Sequence, residues 1–293
     1  ISSNPVDALI DRIDILVAMS RNVRQNILER ITPGTVILGD RDELKGELED
    51  RGAQFIHIPL SALAKETGGA IYSNSIAAGA LLGVLGLGTE GAANFFRSRF
   101  AGKDDVVSKN IAALETGCEL GASLAGEGGV LKGFSRSGKF GRTIINGSDA
   151  VALGAMAAGC NFVAAYPMSP ATGVLSFFYR HAEKAGAVVE QTEDEPAAIN
   201  MAVGASYAGA RPMVTTSGGG FALMAEGLSL AGVVETPLVV HLAQRPGPAT
   251  GMATRTEQAD LELALHSGHG EFPRAVYAPG TMETAFTQAT ANS

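Results

Sequence analysis

The feature that most restricts the fold is the regular alternation of short apolar runs with helical segments. In the second half of the chain, the apolar runs typical of buried strands are Asn161–Ala165, Ala187–Thr192, Pro212–Thr216 and Leu238–Ala243. The segments with a helical pattern around them are Asp149–Gly159, Ala171–Ala185, Pro196–Ala210 and Phe221–Val234. Strands that alternate with helices pair in parallel and are covered on both faces. This half therefore predicts an α/β fold with an open parallel sheet.

The first half of the chain shows the same alternation and then becomes mainly helical. The runs IDILVAM, TVILG and QFIHIP predict three strands, and the residues from about Ser73 to Leu124 predict helices. The stretch Gly121–Arg142 is rich in glycine and basic residues and has no clear apolar period. It is the best domain boundary, although its basic residues could instead contact an anionic partner. We predict two α/β domains, 1–124 and 143–293, joined by a glycine-rich linker, 125–142.

Composition excludes several classes of function. A net charge of -8 argues against nucleic acid as the main partner. The two cysteines, Cys118 and Cys160, form no CxxC pair, so the chain holds neither an iron–sulfur cluster nor a thiolate zinc site by itself. Scarce, unpaired cysteines fit a reducing cytoplasm.

The uncharged segment Thr67–Gly88 is interrupted by glycines and polar residues, so we expect a buried helix with small-residue faces and no membrane span. Because the chain opens at Ile1 with no secretory pattern, we expect a fragment.

Ligands of open α/β sheets bind beyond the carboxyl ends of the strands, so the segments that follow the predicted strands are the candidate site. Besides the turn before Thr143–Asp149, these segments are YPMSPATG (Tyr166–Gly173), TEDEP (Thr192–Pro196), TTSGGG (Thr215–Gly220) and QRPGPATG (Gln244–Gly251). If the sheet is parallel, they meet at one edge.

The acidic run Glu193, Asp194 and Glu195 stands before Pro196 at a predicted helix start. Acids stabilise a helix N-terminus, so the run could serve only as a cap. The helix that follows is small and apolar all round, which predicts that both of its faces are buried. Glu195 would then begin a helix inside the protein, and a buried carboxyl at a crevice is a candidate functional acid.

The other three segments each have a structural alternative. The prolines of YPMSP hold a rigid turn that presents Tyr166 and Ser169, or make an ordinary loop. Ser217–Gly220 suggests a phosphate loop only weakly, because the P-loop lysine is absent. Arg245 follows an apolar strand directly, so its guanidinium must find an anion, either a ligand or a carboxylate of the same chain.

Four segments, taken in order, resemble the alpha subunits of 2-oxoacid:ferredoxin oxidoreductases. They are YPMSP, QTEDEPAAINMAVGASYAGARP, TTSGGGFALMAEGLSLAGVVETPLVV and AQRPGPATGMATRTEQADL. The resemblance covers 143–293. Residues 1–124 resemble, more weakly, the gamma-type domain fused ahead of the alpha domain in many members, without its glycine-rich opening.

The resemblance implies a thiamine-diphosphate-binding-like fold for the second domain. It implies oxidative decarboxylation of a 2-oxoacid, with 2-oxoglutarate as the best choice, to an acyl-coenzyme A, with electrons passed to ferredoxin. The cofactor would be shared with a beta subunit, which would carry Mg²⁺ and a [4Fe–4S] cluster. This chain would contribute no metal ligands.

The resemblance also implies the roles of individual residues. Glu195 would be the catalytic residue that contacts the pyrimidine ring. The further cofactor contacts would be Tyr166, Pro167 and Ser217, and the substrate contacts would be Arg245, Thr254, Ser169 and Tyr166. Met168, Ser169 and Gly219 stand where the family usually has isoleucine, threonine and proline, which leaves the choice of substrate open. The alternatives are a non-oxidative thiamine-dependent decarboxylase or synthase subunit, and a non-catalytic assembly module.

Overall fold

A computed structural model of the chain describes residues 11–46, 48, 51–125 and 144–291. The chain divides into two compact units, Ile1–Phe140 and Gly141–Ser293. Each unit contains a parallel sheet with helices packed against it, which confirms the predicted α/β class. The predicted domain limits remain a prediction, because the linker lies outside the described residues apart from its first residue, Ala125.

The first unit is built on a three-stranded parallel sheet in the order β1-β2-β3. Its strands are β1 (Ile15–Ala18), β2 (Val36–Gly39) and β3 (Gln54–His57). The central strand β2 is buried throughout. Because side chains alternate along a strand, Leu38 packs into one hydrophobic cluster and Ile37 into another. The sheet is therefore covered on both faces, as its continuous apolar runs indicate.

Short helices connect these strands, and longer ones follow them. The helices of this unit are α1 (Gln25–Leu28), α2 (Arg41–Leu44), α3 (Leu60–Thr67), α4 (Ser73–Val84), α5 (Glu90–Arg99) and α6 (Asp104–Ala125), with a 3-10 turn at Ala70–Tyr72. The uncharged segment forms the mostly buried helix α4, as predicted. No helix within the described ranges is long and apolar enough to span a membrane. Gly121, the first residue of the glycine-rich stretch, belongs to α6.

Helices α4 and α6 pack through four glycines, which we call the glycine stripe: Gly79 and Gly83 on α4, Gly117 and Gly121 on α6. A Cβ atom added at Gly79 would lie 2.9 Å from the backbone nitrogen of Cys118, and one added at Gly117 would lie 3.0 Å from that of Ala80. The backbones of the two helices are thus in direct contact, so no larger side chain fits between them.

The second unit is built on a four-stranded parallel sheet in the order β5-β4-β6-β7. Its strands are β4 (Phe162–Ala165), β5 (Val188–Gln191), β6 (Pro212–Thr216) and β7 (Val239–Leu242), each within one residue of the predicted limits. Its helices are α7 (Gly147–Ala157), α8 (Thr172–Ala185), α9 (Glu195–Tyr207), α10 (Gly218–Leu223), α11 (Ala225–Val233), α12 (Leu261–His266) and α13 (Met282–Ala291). Phe178 of α8 lies in the core on one face of the sheet, and Ile199 of α9 lies in the core on the other.

Two expectations for this unit were wrong. The single helix predicted at Phe221–Val234 is two helices, because the chain tightens at Met224, whose N–H donates to the carbonyls of both Gly220 and Phe221. Helix α9 is buried on one face only, and on its other face Met201 is 41% exposed and Tyr207 80% exposed. Within the described chain, the sheet, α10 and α11 pack against the inner face of α9.

Candidate functional site

The candidate site lies where the four parallel strands of the second unit end. Ala165 of β4 pairs with Gln191 of β5, and Thr216 of β6 pairs with Leu242 of β7. Since the strands run in the same direction, the segments that follow them begin at one edge of the sheet. The predicted convergence is therefore present in the backbone.

The three acidic residues of the run before α9 differ in burial and in hydrogen bonding. Asp194 is the N-cap, and its carboxylate accepts a hydrogen bond from the N–H of Ala197 at 2.7 Å. Glu193 is exposed. Glu195 begins the helix and is only 4% exposed, and its Oε1 has no hydrogen-bond partner. Capping therefore explains Asp194 and leaves the buried Glu195 without a structural task.

The segment Ser217–Gly220, which we call the glycine turn, packs directly on Glu195. A Cβ atom added at Gly220 would lie 2.8 Å from Glu195 Cγ and 2.9 Å from its Oε1. Ser217 is fully buried, and its Oγ has no partner. The turn thus brings its backbone and one unpaired hydroxyl to the carboxyl group.

Sequence reasoning missed a second acid at this turn, Asp260. A Cβ atom added at Gly218 would lie 2.5 Å from Asp260 Cγ and 2.6 Å from its Oδ2. The backbone N–H of Asp260 donates to Gln244 Oε1 at 2.9 Å, and its Oδ2 is buried with no partner. Two carboxyl groups at one turn would repel a phosphate, which counts against the phosphate-loop alternative. The segment RTEQADL contained this residue, but no local pattern distinguished it from the other acids.

Arg245 holds two of the strand-end segments together. It is 6% exposed, and its Nη1 donates to the carbonyl of Ser169 and its Nη2 to that of Thr250, both at 2.8 Å. Its Nε is buried with no partner. None of the ion pairs among the described residues involves Arg245, so the suggested partner carboxylate of the same chain is not found there. The guanidinium is positioned by neutral carbonyls, so its charge is not balanced by a carboxylate among the described residues.

The remaining predicted site residues differ in how closely they are placed. Tyr166 and Pro167 follow β4 directly, the first exposed and the second half-buried, and Ser169 lies beside Arg245 through its carbonyl. Thr254 is exposed and makes no hydrogen bond within the described ranges. Glu195 therefore packs against the glycine turn, and Arg245 is hydrogen-bonded to Ser169. Among the described residues, Thr254 has no hydrogen bond to either pair.

A half-buried histidine of the edge strand β7 was also missed. His241 Nδ1 lies 2.8 Å from Thr215 Oγ1, and that hydroxyl donates to the carbonyl of Ala171 at 3.3 Å. Burial lowers the pKa of His241 to about 4, so the ring is neutral at pH 7.

Burial raises the pKa of the Cys160 thiol to about 11, which makes it a poor nucleophile. Across the described residues, no three or more His, Cys, Asp or Glu side chains are arranged to hold a metal ion.

Comparison with known proteins gives matches along almost the whole chain. Residues 153–292 match the family described as pyruvate flavodoxin/ferredoxin oxidoreductase, thiamine diP-bdg. Residues 1–120 match the family described as pyruvate ferredoxin/flavodoxin oxidoreductase.

Individual relatives agree with these families. The 2-oxoacid:ferredoxin oxidoreductase 2 subunit alpha of Aeropyrum pernix is 35% identical, over 82% of this chain and 41% of the relative. The 2-oxoglutarate oxidoreductase subunit KorA of Mycobacterium tuberculosis is 31% identical, over 95% of this chain and 47% of the relative. A solved structure of 2-oxoglutarate:ferredoxin oxidoreductase from Magnetococcus marinus, with 2-oxoglutarate, coenzyme A and succinyl-CoA bound, is 33% identical. It aligns with a TM-score of 0.86 and covers 99% of this chain and 51% of that chain. The chain thus spans about half or less of the length of these relatives.

Proposed function

This chain belongs to the 2-oxoacid:ferredoxin oxidoreductase family, in agreement with the resemblance of its strand-end segments, and on that premise we propose that it holds the pyrimidine end of thiamine diphosphate. The observation that carries the proposal is the state of Glu195. It is a buried carboxyl at the start of α9 that does not cap its helix and has an oxygen without a partner. A second chain of the same enzyme would complete the site.

The residues around Glu195 fit this cofactor. Leaving a buried polar atom unpaired costs about 1–3 kcal/mol, so the Glu195 Oε1 and Ser217 Oγ atoms favour a ligand that supplies hydrogen-bonding groups. An aminopyrimidine has a ring nitrogen and an amino group, both able to form hydrogen bonds. When bound, thiamine diphosphate supplies the stabilisation of a carbanion that protein side chains lack. Glu195 would hold a proton at the ring nitrogen, with Tyr166 and Pro167 beside it.

Arg245 is proposed to bind the carboxylate of the 2-oxoacid. Its buried positive charge has no carboxylate partner in the described chain, and its Nε remains unpaired. Its two carbonyl contacts fix the plane of the guanidinium, which suits charge-assisted binding of a carboxylate. Ser169 would line the same side through its contact with Arg245. The role of Thr254 rests on its family position alone.

The proposed reaction of the whole enzyme is the oxidative decarboxylation of a 2-oxoacid to an acyl-coenzyme A, with ferredoxin as the electron acceptor. The relatives named for 2-oxoglutarate, and the Magnetococcus marinus structure with 2-oxoglutarate and succinyl-CoA, support 2-oxoglutarate as the substrate. The Mg²⁺ ion and the [4Fe–4S] cluster are assigned to a beta subunit. A cytoplasmic location is part of the proposal and rests on two unpaired cysteines.

The alternative of a non-catalytic assembly module has less support. It requires Glu195 to be a helix cap and Arg245 to form an ion pair within the chain. The cap is Asp194, and Arg245 contacts two backbone carbonyls.

The experiment that tests the proposal uses the full-length alpha subunit assembled with its beta subunit. Glu195→Ala should lower the rate of 2-oxoglutarate-dependent ferredoxin reduction by about 100-fold or more, because it removes an acid–base group. Glu193→Ala is the matched control, since it removes an exposed acid two residues away and should leave the rate unchanged. An unchanged rate in Glu195→Ala would contradict the proposal. Release of carbon dioxide by the wild-type complex without ferredoxin reduction would favour the non-oxidative alternative.

A further inference from the structure

Two adjacent threonines at the end of β6, Thr215 and Thr216, are both buried and face opposite sides of the sheet. Met213 belongs to the core cluster that contains residues of α8, and Val214 belongs to the cluster that contains residues of α9. Because side chains alternate along a strand, Thr215 lies on the α8 side and Thr216 on the α9 side. Thr216 therefore faces the helix that Glu195 begins.

The hydroxyl of Thr216 and the carboxyl of Glu195 both lie against Gly220. A Cβ atom added at this glycine would contact Thr216 Oγ1 and would lie 2.9 Å from Glu195 Oε1. The two oxygens are thus no more than 2.9 Å from one point. Because Gly220 has no side chain, nothing from α10 fills that point. The glycine leaves the hydroxyl and the carboxyl next to each other.

Neither oxygen has a strong partner of its own. Glu195 Oε1 is buried without a hydrogen bond, and no ion pair among the described residues involves Glu195. Thr216 Oγ1 donates to the carbonyl of Ser217 at 3.4 Å, which is long for a bond between two oxygens. That carbonyl already accepts the N–H of Phe221 at 2.8 Å. A hydroxyl can rotate, so its proton is free to turn toward the carboxylate.

A bond between the two groups would provide the partner that buried polar atoms normally have. An ionised carboxylate has about four acceptor positions, so one bond to a hydroxyl leaves room for a ligand. Catalytic hydrogen bonds are often long before the ligand binds and tighten in the complex. On the premise that Glu195 contacts the cofactor as proposed above, we propose that Thr216 is a positioning residue, whose hydroxyl donates to the Glu195 carboxylate and keeps it directed at the pyrimidine ring. Thr216 acts through Glu195 and does not itself touch the cofactor.

Two substitutions of Thr216, made in the full alpha–beta complex, separate the hydroxyl from the packing of the side chain. Thr216→Val keeps the shape and removes the hydroxyl, and it should weaken thiamine diphosphate about ten-fold in calorimetric titrations, as expected for a lost hydrogen bond to a charged group. The rate of ferredoxin reduction at saturating cofactor should fall as well. Thr216→Ser keeps the hydroxyl and should bind and react like the wild type. A packing role predicts the opposite order, because serine leaves a cavity and valine does not.

Two further measurements test whether Thr216 acts through Glu195. Thr215→Val is the matched control, since it removes a buried hydroxyl from the neighbouring position on the other face of the sheet. It should leave the dissociation constant of thiamine diphosphate unchanged. In a Glu195→Ala background, Thr216→Val should weaken the cofactor no further, because residues that act as a unit are not additive.

Three results would overturn the role of Thr216 alone. They are wild-type affinity and rate in Thr216→Val, an equal defect in Thr216→Ser and Thr216→Val, and the same weakening by Thr216→Val with and without Glu195. The failure of the proposed function would look different. In that case the wild-type complex would bind no thiamine diphosphate, or Glu195→Ala would bind it and reduce ferredoxin like the wild type.

Discussion

The two units of the molecule use glycine for opposite purposes. In the first, the glycine stripe brings the backbones of α4 and α6 into contact, and an added Cβ at Gly83 would lie 2.6 Å from the backbone nitrogen of Ala122. In the second, the glycine turn makes room for carboxyl side chains, those of Glu195 and Asp260. The first arrangement leaves no space for a ligand. The second places polar atoms without partners beside a short stretch of backbone, which is an arrangement that a ligand can complete.

The interiors of the two units differ in the same sense. The first unit is held by clusters of aliphatic side chains on the two faces of its sheet. The second has comparable clusters, but it also buries Glu195, Ser217 and Arg245 near the ends of its strands. Buried polar atoms without partners lower the free energy of unfolding. The strand ends of the second unit therefore lower its stability, whereas the aliphatic clusters of the first unit raise its stability.

The packing role of the glycine stripe is tested most directly by adding one methyl group to it. Gly117→Ala should destabilise the first unit by about 3 kcal/mol, because the new Cβ would lie 2.9 Å from the carbonyl carbon of Ile76 and backbone atoms cannot rotate away. Urea unfolding of the chain measures the change. Gly91→Ala is the control, since that exposed glycine of α5 has nothing within 4 Å. Equal midpoints for the two variants would mean that the stripe does not determine the packing.

The matching change in the glycine turn should affect function more than stability. Gly220→Ala would place a Cβ 2.8 Å from Glu195 Cγ. The hydroxyl of Thr216 lies closer still to that Cβ, and both side chains are buried, so both must shift and Glu195 loses its position. Displacement of the proposed catalytic group can cost about 100-fold in rate, and we expect a loss of that order in ferredoxin reduction by the full complex, with a smaller change in the urea midpoint than in Gly117→Ala, because side chains can move where backbone cannot. A large loss of stability at unchanged specific activity would contradict the distinction between turn and stripe.

The smallest effect concerns acid sensitivity. His241 has a pKa of about 4 in the folded chain, below the value of about 6.5 for an unperturbed histidine. The unfolded state therefore takes up the proton first, so the contribution of His241 to stability is complete above pH 6.5 and is lost as the pH falls toward 4. Between pH 7.5 and 5.5, the second unit should lose about 1 kcal/mol, measured by urea unfolding at each pH. Over the same pH range, the free energy of unfolding of His241→Gln should fall by about 1 kcal/mol less than that of the wild type. An equal fall in both proteins would show that other groups cause it.

Much of the fold could be predicted from the sequence because its signals are local. Apolar runs bounded by turn residues gave the strands of the second unit to within one residue. The uncharged segment Thr67–Gly88, interrupted by glycines and polar residues, predicted the buried helix α4. The errors arose at positions where tertiary packing determines the structure. No local pattern marked the break at Met224, and the exposed face of α9 carries Met201 and Tyr207, whose side chains a sequence pattern does not separate from buried ones.

The sequence was sufficient to predict the parallel α/β class, the strand-end segments and the position of Glu195 at the start of α9, since periodicity and helix-start residues act over a few positions. Only the tertiary structure decided which acid caps α9, what Arg245 contacts and that Asp260 lies at the glycine turn. These outcomes depend on residues far apart along the chain: the bond between Arg245 and Ser169 spans 76 positions. The physical reason is that a side chain takes its partner from whatever folding brings beside it, and no local pattern records that neighbour.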